Sequence, residues 1–150
     1  MPSKPNTADM NVICDIDGTL AHMGDRRTPL EWDKVHLDSY DPYVGYLLSL
    51  HREMNDTIII VSGREDVCRE ATVQWLNQHG VYYNRLFMRA AKDFRPDTIV
   101  KKEIWETRIL PTYPSITQIN TIVYDDRDSV VKMWREELGL KVFQVAPGNF

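Results

Sequence analysis

Short apolar runs alternate with segments of helical periodicity along this chain of 150 residues. The apolar runs lie at about 11–15, 57–61, 86–88, 121–124 and 141–145, and helical patterns fill the intervals between them. Strands that alternate with helices are typical of a mostly parallel sheet covered by helices on both faces. The pattern therefore predicts an α/β fold with three layers and a five-stranded sheet.

Proline, glycine and acidic residues mark where the helices begin and end. Asp41-Pro42 predicts the N-cap and the first position of the first helix. Asp97 is predicted to cap the third helix, with orientation of Lys101 or an arginine as a further role. Glycine just after a helical pattern commonly ends a helix, which predicts helix ends at Gly80 and Gly139. Each interval between strands thus has its own boundary signals.

Two segments do not follow this alternation. Residues 19–41 are polar and irregular and too long for an ordinary connection, so they predict a flap or small cap insertion. Residues 1–9 lack the apolar centre of a signal peptide and are expected to form a disordered leader. Residues 1–150 are predicted to be a single domain.

Charge and composition narrow the function classes. A formal net charge of −4 argues against a protein that coats nucleic acid, but not against one that holds a strand end in a locally basic pocket. No apolar run reaches the roughly 18 residues of a membrane span, so no membrane partner and an intracellular, cytoplasmic location are expected. Cys14 and Cys68 fit neither a disulfide framework nor a metal site and are expected to be small buried side chains.

Three of the apolar runs end in a chemically active side chain. Asp15 ends the first run with Asp17 close behind it, Ser62 ends the second, and the pair Asp125-Asp126 ends the fourth. Ligands bind outside the carboxyl ends of the strands in open α/β sheets, so these groups should converge. Lys101, early in the third predicted helix, can reach the same place.

Carboxylates, a hydroxyl and a lysine that converge in this way indicate phosphoryl transfer. Carboxylate oxygens without histidine or cysteine suit Mg²⁺. A hydroxyl, backbone N–H groups and an ammonium donate hydrogen bonds to phosphate oxygens. A carboxylate held close to a metal-bound phosphorus can attack it. We therefore expect Mg²⁺-dependent chemistry on a phosphate ester.

These residues, in this order, resemble the four motifs of the haloacid dehalogenase (HAD) superfamily of phosphotransferases, which implies a HAD-like Rossmannoid fold. A closer resemblance is to the phosphatase domain of phage-type polynucleotide kinase/phosphatases. The segments that carry it are Ile60-Val61-Ser62-Gly63-Arg64, Thr72-Val73-Gln74-Trp75-Leu76, Leu86-Phe87-Met88-Arg89, Asp125-Asp126-Arg127 and Phe143-Gln144-Val145-Ala146.

The closer resemblance implies that the chain removes a 3′-phosphate from DNA or RNA ends and so prepares them for ligation. No Gly-x-x-x-x-Gly-Lys-Ser/Thr loop occurs in the sequence, so 5′-phosphorylation is not expected of this chain. A separate kinase or ligase is an expected partner, unless the chain is part of a larger kinase/phosphatase. The phage-type pattern is also consistent with a phage-encoded protein in the host cytoplasm.

The resemblance assigns a role to each residue of the predicted site. Asp15 is the nucleophile that forms an aspartyl-phosphate, and Asp17 is the acid–base that serves the leaving oxygen and the attacking water. Mg²⁺ is held by Asp15, by the main-chain carbonyl of Asp17 and by the acidic pair, with Asp126 favoured as the direct ligand. Ser62 and Lys101 bind the transferred phosphoryl group.

Substrate binding is predicted from basic residues that match the phage-type domains. These are Arg26 in the flap, Arg64 after the serine and Arg89 after the third strand, with Gly63 supplying backbone beside them. Arginine binds phosphate bidentately, so together they are expected to hold the phosphodiester next to the terminal phosphate. The alternative is that these arginines are solvated surface charges or structural partners.

The aromatic residues divide into two groups. Trp75, Trp105 and Trp134 lie in helical patterns that indicate core packing. Trp32 and Tyr43 lie where they could stack on a base, although packing in the core or flap is slightly favoured for Trp32.

Two other function classes fit part of the pattern. A small-molecule HAD phosphatase that acts on nucleotides suits the acidic net charge, but the lack of a large cap leaves the site open to a polymer end. A receiver-type phosphoacceptor module shares the acceptor aspartate, hydroxyl, lysine and Mg²⁺. Receivers place the acidic pair first and the lysine near the end, whereas here the Asp-x-Asp comes first and the acidic pair follows the lysine.

Overall fold

The strands of the molecule form one large and one small sheet. The computed structural model describes residues 10–150, so the predicted leader at 1–9 lies outside the described residues. The strands, in chain order, are β1 (Asn11–Cys14), β2 (Ala21–His22), β3 (Ser39–Tyr40), β4 (Thr57–Glu65), β5 (Arg85–Arg89), β6 (Thr121–Asp125) and β7 (Lys141–Gln144). Five of them form a parallel sheet in the order β5-β4-β1-β6-β7, and β2 pairs antiparallel with β3. The predicted α/β fold with a five-stranded sheet is confirmed.

Helical segments connect the strands of the large sheet. They are α1 (Pro42–Glu53), α2 (Arg69–Gln78), α3 (Asp97–Ile104), α4 (Leu110–Thr112) and α5 (Asp128–Lys132). A π-helical turn joins α3 to α4 and a second follows α5, while short 3₁₀ helices precede β3 and α2. Within residues 10–150, none of these helices is long and apolar enough to cross a membrane.

The central strand β1 has helices on both sides. On one face Val12 and Cys14 belong to a buried cluster with Val44 of α1 and Leu76 of α2. On the other face Ile13 belongs to a buried cluster with residues of α3 and α5. A strand that is covered on both faces favours apolar side chains throughout, which explains the unbroken run that precedes Asp15. The predicted burial of the two cysteines is confirmed, and both are free thiols.

The two predicted helix caps have different outcomes. Asp41 caps α1, since its carboxylate accepts hydrogen bonds from the backbone N–H groups of Tyr43 and Val44, both at 3.0 Å. Asp97 does not cap α3, because Pro96 occupies the N-cap position and no capping bond is made by a side chain. The prediction of Asp97 as a cap is therefore wrong, and its carboxylate instead forms ion pairs with arginines.

Residues 19–41, hereafter the flap, are folded rather than irregular. They contain β2, β3 and a 3₁₀ helix at Trp32–Leu37, and they bury Leu20 and Val35 in the core. Two-residue strands are too short to leave a periodic pattern in the sequence. The prediction of an irregular segment is corrected to a small antiparallel ribbon with a helical turn.

The strand β4 is longer than its apolar pattern at 57–61 indicates. Its pairing with β5 continues to Glu65, with an irregularity in register between Ser62 and Glu65. The extension carries the Ser-Gly-Arg motif along the carboxyl edge of the sheet. A side chain at Gly63 would displace the Asp97 carboxylate, because a Cβ there would lie 2.5 Å from Oδ1 of Asp97.

Candidate active site

Three carboxylates that were singled out from the sequence meet at the carboxyl edge of the sheet. Asp15 follows β1, Asp125 ends the neighbouring strand β6, and Asp126 comes directly after it. One oxygen atom from each carboxylate lies within 4.8 Å of the other two, and all three residues are buried. Like charges at this separation favour a cation between them.

Lys101 supplies one positive charge to this cluster. Its Nζ donates hydrogen bonds to Oδ1 of Asp15 at 2.8 Å and to Oδ2 of Asp125 at 2.9 Å. Burial lowers the pKa of the Lys101 ammonium, but Asp125 and Asp15 outweigh burial and hold that pKa above its ordinary value. Burial and Asp125 together raise the pKa of the Asp15 carboxyl well above its usual range, although Lys101 lowers it. One ammonium against three carboxylates leaves an excess of negative charge, which fits a divalent cation.

The two members of the acidic pair have different surroundings. Asp125 accepts hydrogen bonds from Lys101, from Nε1 of Trp134 at 3.3 Å and from the backbone N–H of Asp126 at 2.8 Å. The hydroxyl of Thr19 lies 3.3 Å from Oδ1 of Asp126 and 3.2 Å from Oδ2 of Asp15, so its one proton is shared between the two carboxylates. The backbone of Gly18 packs against the Asp126 carboxylate so closely that a Cβ on Gly18 would lie 2.0 Å from Oδ2. Asp125 is thus fixed by three donors, whereas Asp126 is packed directly under the Asp-x-Asp-Gly turn.

The side chain of Asp17 does not join the acidic cluster. Its carboxylate accepts hydrogen bonds from Arg64 at 2.8 and 3.0 Å and from Arg27 at 3.1 Å. Both arginines also bind the buried carboxylate of Asp38, at 2.8 Å from Nη2 of Arg64 and from Nε of Arg27. Arg64 further donates to the hydroxyl of Thr72 at 3.1 Å. These four charged residues, Asp17, Arg27, Asp38 and Arg64, form what we call the arginine clamp.

The arginines that the sequence suggested for substrate binding have different surroundings in the structure. Arg64 is fully buried and directs its donors to Asp17, Asp38 and Thr72. Arg26 lies exposed on the flap and donates to the carbonyl of His22 and the hydroxyl of Ser39. Its neighbour Arg27, which the sequence analysis missed, is the flap residue that touches Asp17. The sequence alone does not show which of Arg26 and Arg27 is buried, because the turn that contains them has no periodic pattern.

Replacing Arg27 by alanine is expected to destabilise the fold strongly. The change leaves Asp17 and Asp38 with Arg64 as their remaining clamp arginine, and removal of one partner of a buried ion pair costs about 3–5 kcal/mol. The matched control is Arg26→Ala, whose exposed side chain predicts a change below about 0.5 kcal/mol. Urea unfolding of the two variants measures the difference, and similar losses at both positions would contradict the assignment of Arg27 to the clamp.

Ser62 and Arg89 lie along the same edge of the sheet. Ser62 is fully buried, and its hydroxyl accepts a hydrogen bond from the backbone N–H of Arg64 at 3.2 Å. Arg89 donates to the carbonyl of Gly63 at 2.8 Å and pairs with Asp97. It therefore ties the end of β5 to the backbone of β4 beside the cavity.

A cavity of about 830 Å³ opens over the acidic cluster. Its floor includes Asp15, Asp17, Asp125 and Asp126. Its walls are largely apolar and are formed by side chains from the flap, from the loop before α3 and from the last residues of the chain. These include Met23, Leu30, Trp32, Phe94, Pro147 and Phe150.

The aromatic residues fall into three positions relative to this cavity. Trp75, Trp105 and Trp134 are buried, as the helical patterns predict. Trp32 packs against the core and also lines the cavity, and its Nε1 donates to Oε2 of Glu65 at 2.9 Å. Tyr43 is exposed on α1 and is not among the residues that line the cavity.

The sequence as a whole matches one protein family. The family model described as the polynucleotide kinase PNKP phosphatase domain, a HAD domain, matches residues 9–150. The chain belongs to this family. It is therefore a phosphatase domain of the PNKP type, and the resemblance seen in its motifs is confirmed.

Related proteins match this phosphatase domain over part of their own length. A putative bifunctional polynucleotide kinase/RNA ligase of Autographa californica nuclear polyhedrosis virus is 31% identical over an alignment of 140 residues. The match covers 89% of this chain and 19% of the viral protein. A solved structure of a Pnkp1/Rnl/Hen1 complex contains a chain with 34% identity and a TM-score of 0.87. That match covers 99% of this chain and 50% of the other chain. A second structure, of the Pnkp1/Rnl/Hen1 RNA repair complex, matches with a TM-score of 0.84 and 34% identity. The chain thus spans about half, or less, of the length of these relatives.

Proposed function

We propose that this domain removes the phosphate from the 3′ end of a DNA or RNA strand, in a Mg²⁺-dependent reaction through an aspartyl-phosphate on Asp15. The observation that carries the proposal is the separation of the two motif carboxylates. Asp15 lies in the acidic cluster with Lys101, whereas Asp17 is turned into the arginine clamp. The two carboxylates thus have different surroundings although only two positions separate them, which supports different roles for them.

In the first step, Asp15 attacks the phosphorus of the terminal phosphate. An oxygen–phosphorus bond to the carboxylate forms while the bond to the sugar 3′-oxygen breaks. Lys101 donates to Oδ1 of Asp15, and the hydroxyl of Thr19 lies 3.2 Å from Oδ2, so each oxygen of the carboxylate has a polar neighbour that orients it. Asp17, whose side chain is 29% exposed towards the cavity side, gives its proton to the departing oxygen.

In the second step, water attacks the phosphorus of the aspartyl-phosphate. Asp17 now takes the proton of that water, the acyl phosphate bond breaks, and Asp15 and inorganic phosphate are released. The clamp arginines orient Asp17 for both transfers. Arg64 therefore acts through Asp17 as a positioning residue rather than through a contact with the strand.

Mg²⁺ is the metal that the donor set favours. The cluster offers carboxylate oxygens without nitrogen or sulfur, and its negative charge exceeds that of Lys101. Asp15, Asp126 and the main-chain carbonyl of Asp17 would hold the ion, and Asp125 would position Lys101. When bound, Mg²⁺ supplies positive charge against the phosphate and the carboxylates.

Mg²⁺ is expected to stabilise the folded domain. Saturation at about 100 times the dissociation constant contributes about 2.7 kcal/mol. For a chain of this size that corresponds to roughly 5–10 °C in Tm. Asp126→Asn should remove most of this shift, whereas the matched control Asp128→Asn, an exposed acid outside the cluster, should keep it. Thermal denaturation with and without Mg²⁺ measures the effect, and an equal loss in both variants would contradict the ligand assignment.

The remaining predicted residues are proposed to bind the phosphoryl group and the strand. Ser62, Lys101 and the backbone at Gly63 would donate to oxygens of the transferred phosphate. Arg89, which borders the cavity, is the arginine best placed to meet the phosphodiester next to it. Arg26 is exposed on the flap and would reach a strand only outside the cavity.

A polymer end is favoured over a free nucleotide as the substrate. The family that the chain belongs to is named for polynucleotides, which supports the polymer end, whereas the cavity volume of about 830 Å³ lies within the roughly 300–1,000 Å³ of small-molecule sites and fits either substrate. Membership in the PNKP phosphatase family argues against the receiver-type alternative. Kinase and ligase activities, which the names of the relatives contain, would come from other domains or proteins.

The test compares phosphate release, with Mg²⁺ present, from three substrates. They are an oligonucleotide with a 3′-phosphate, the same strand with a 5′-phosphate, and a 3′-mononucleotide. The proposal expects the 3′-phosphorylated strand to be hydrolysed fastest. Equal rates on all three would reduce the function to that of a general phosphatase, and preference for the mononucleotide would favour the small-molecule alternative.

A further inference from the structure

An exposed aromatic side chain stands at the mouth of the cavity. Phe94 is 84% exposed although it lines the same cavity as the catalytic carboxylates. Leu30, at 76%, and Phe150, at 69%, are the other strongly exposed apolar side chains in the cavity wall. Exposed apolar groups that gather around one opening commonly mark a binding site.

The loop that carries Phe94 is held in place from below. Oε1 of Glu65 accepts a hydrogen bond from the backbone N–H of Lys92 at 2.8 Å, and Arg89 donates to the carbonyl of Asp93 at 3.0 Å. The second oxygen of Glu65 binds Trp32, so one carboxylate joins this loop to the flap. Phe94 is thus exposed on a loop whose backbone is bonded to Glu65 and Arg89 on either side of the ring.

Charge alone gives the cavity little attraction for a polyanion. Its arginines are already paired: Arg89 with Asp97, and Arg95 with Asp93 at 2.7 Å. Arg127 pairs with Asp97 at 3.1 Å as well. With the acidic floor below, these paired arginines offer little net positive charge, so affinity for the rest of a strand needs a contribution besides that of Arg89. Base stacking on aromatic rings does not depend on net charge.

We propose that Phe94 is a base-stacking platform for a nucleotide near the 3′ end of a single strand, with Phe150 as a second apolar contact. The proposal rests on the proposed function and names the part of the substrate that the walls recognise. The ring of Phe150 packs against Arg127, whose guanidinium lies 4.8 Å from the ring centroid. A base on Phe94 would anchor the strand while its terminal phosphate reaches the acidic cluster.

The test measures binding of a 3′-phosphorylated single strand to the Asp15→Asn variant, in which turnover does not interfere. Adding Phe94→Ala should weaken binding by about 5- to 150-fold, which is the loss of one stacked base. Phe94→Trp should keep the affinity. The matched control is Tyr43→Ala, which removes an aromatic side chain of 81% exposure outside the cavity and should leave the affinity unchanged.

A strand that lacks its bases at the 3′-terminal positions decides the interpretation. The effect of Phe94→Ala should disappear on this strand if the ring stacks on a base. If Phe94→Ala weakens the binding of both strands equally, Phe94 maintains the conformation of its loop and does not stack on a base. If it weakens the binding of neither strand, the exposed ring serves another purpose, such as contact with a protein partner. Either result would overturn the proposal. Failure of the proposed function is a separate result, in which Asp15→Asn binds 3′-phosphate and 3′-hydroxyl strands equally. A strand that does not bind at all would overturn both proposals.

Discussion

Replacing Asp15 by asparagine is expected to stop phosphate release while the fold remains in place. Asparagine has nearly the same shape but cannot form the aspartyl-phosphate, and loss of a nucleophile lowers turnover by about 10⁴- to 10⁶-fold. The fold should survive because Lys101 keeps its bond to Asp125 at 2.9 Å. Removing one of three clustered carboxylates also relieves like-charge repulsion.

The measurement is phosphate release from a 3′-phosphorylated oligonucleotide, together with thermal denaturation of the same preparation. A variant that melts close to the wild type and releases no phosphate supports Asp15 as the nucleophile. Retained turnover would overturn that role. Glutamate at this position serves as a second variant, because it keeps the charge but lengthens the side chain, and it is expected to be inactive as well.

Replacing Asp17 by asparagine is expected to separate the two chemical steps. Release from an oligonucleotide should fall by about 10²- to 10⁴-fold, because the sugar oxygen leaves as a strong base and needs the proton of Asp17. p-Nitrophenyl phosphate has a leaving group that needs no proton. Its first step should therefore survive, followed by slow hydrolysis of the aspartyl-phosphate.

The expected result with p-nitrophenyl phosphate is a burst of one nitrophenol per active site and then slow turnover. The burst also serves as the folding control, because an unfolded variant gives none. A loss of equal size for both substrates in the first turnover would contradict the acid–base role. In that case the bonds from Arg27 and Arg64 would mark Asp17 as a purely structural ion-pair partner.

Much of the fold could be predicted from the sequence because the sheet is parallel and buried. A strand such as β1 is covered by helices on both faces, so it has a continuous apolar run, and the residue just past its end faces the ligand side of the sheet. Asp15, Ser62 and Asp126 are recognisable for that reason. The last part of β4 could not be predicted in this way, because it has no apolar run. Its residues Gly63 and Arg64 are determined instead by contacts with Asp97 and Asp17.

The parts that sequence reasoning missed depend on contacts between distant segments. Arg27 is buried because Asp38 and Asp17 meet it in the folded flap, and the alternative choice of Arg26 has the same chemistry one position away. The wrong cap assignment of Asp97 has a similar cause. Its carboxylate is drawn to Arg89 and Arg127, which come from other strands and loops. Ion pairs of this kind have no periodicity in one sequence.

The structure also shows what the arginines that follow the strands contact. In the sequence they suggest a basic grip on a phosphodiester, whereas the guanidinium groups of Arg64 and Arg89 are paired with carboxylates. A guanidinium that is paired with a carboxylate offers less net positive charge to a polyanion than a free one does. We propose that the apolar wall at Phe94, which the sequence patterns did not single out, contributes to recognition of the strand in addition to Arg89.

The most direct test of the account is to trap the covalent intermediate from a defined strand. The enzyme is mixed with Mg²⁺ and a strand that carries ³²P in its 3′-phosphate, quenched in acid within one turnover, and digested. We predict label on the peptide that contains Asp15, and none when the ³²P is placed in a 5′-phosphate. Phosphate release from the 3′ end without label on Asp15, or equal label from both strands, would contradict the account.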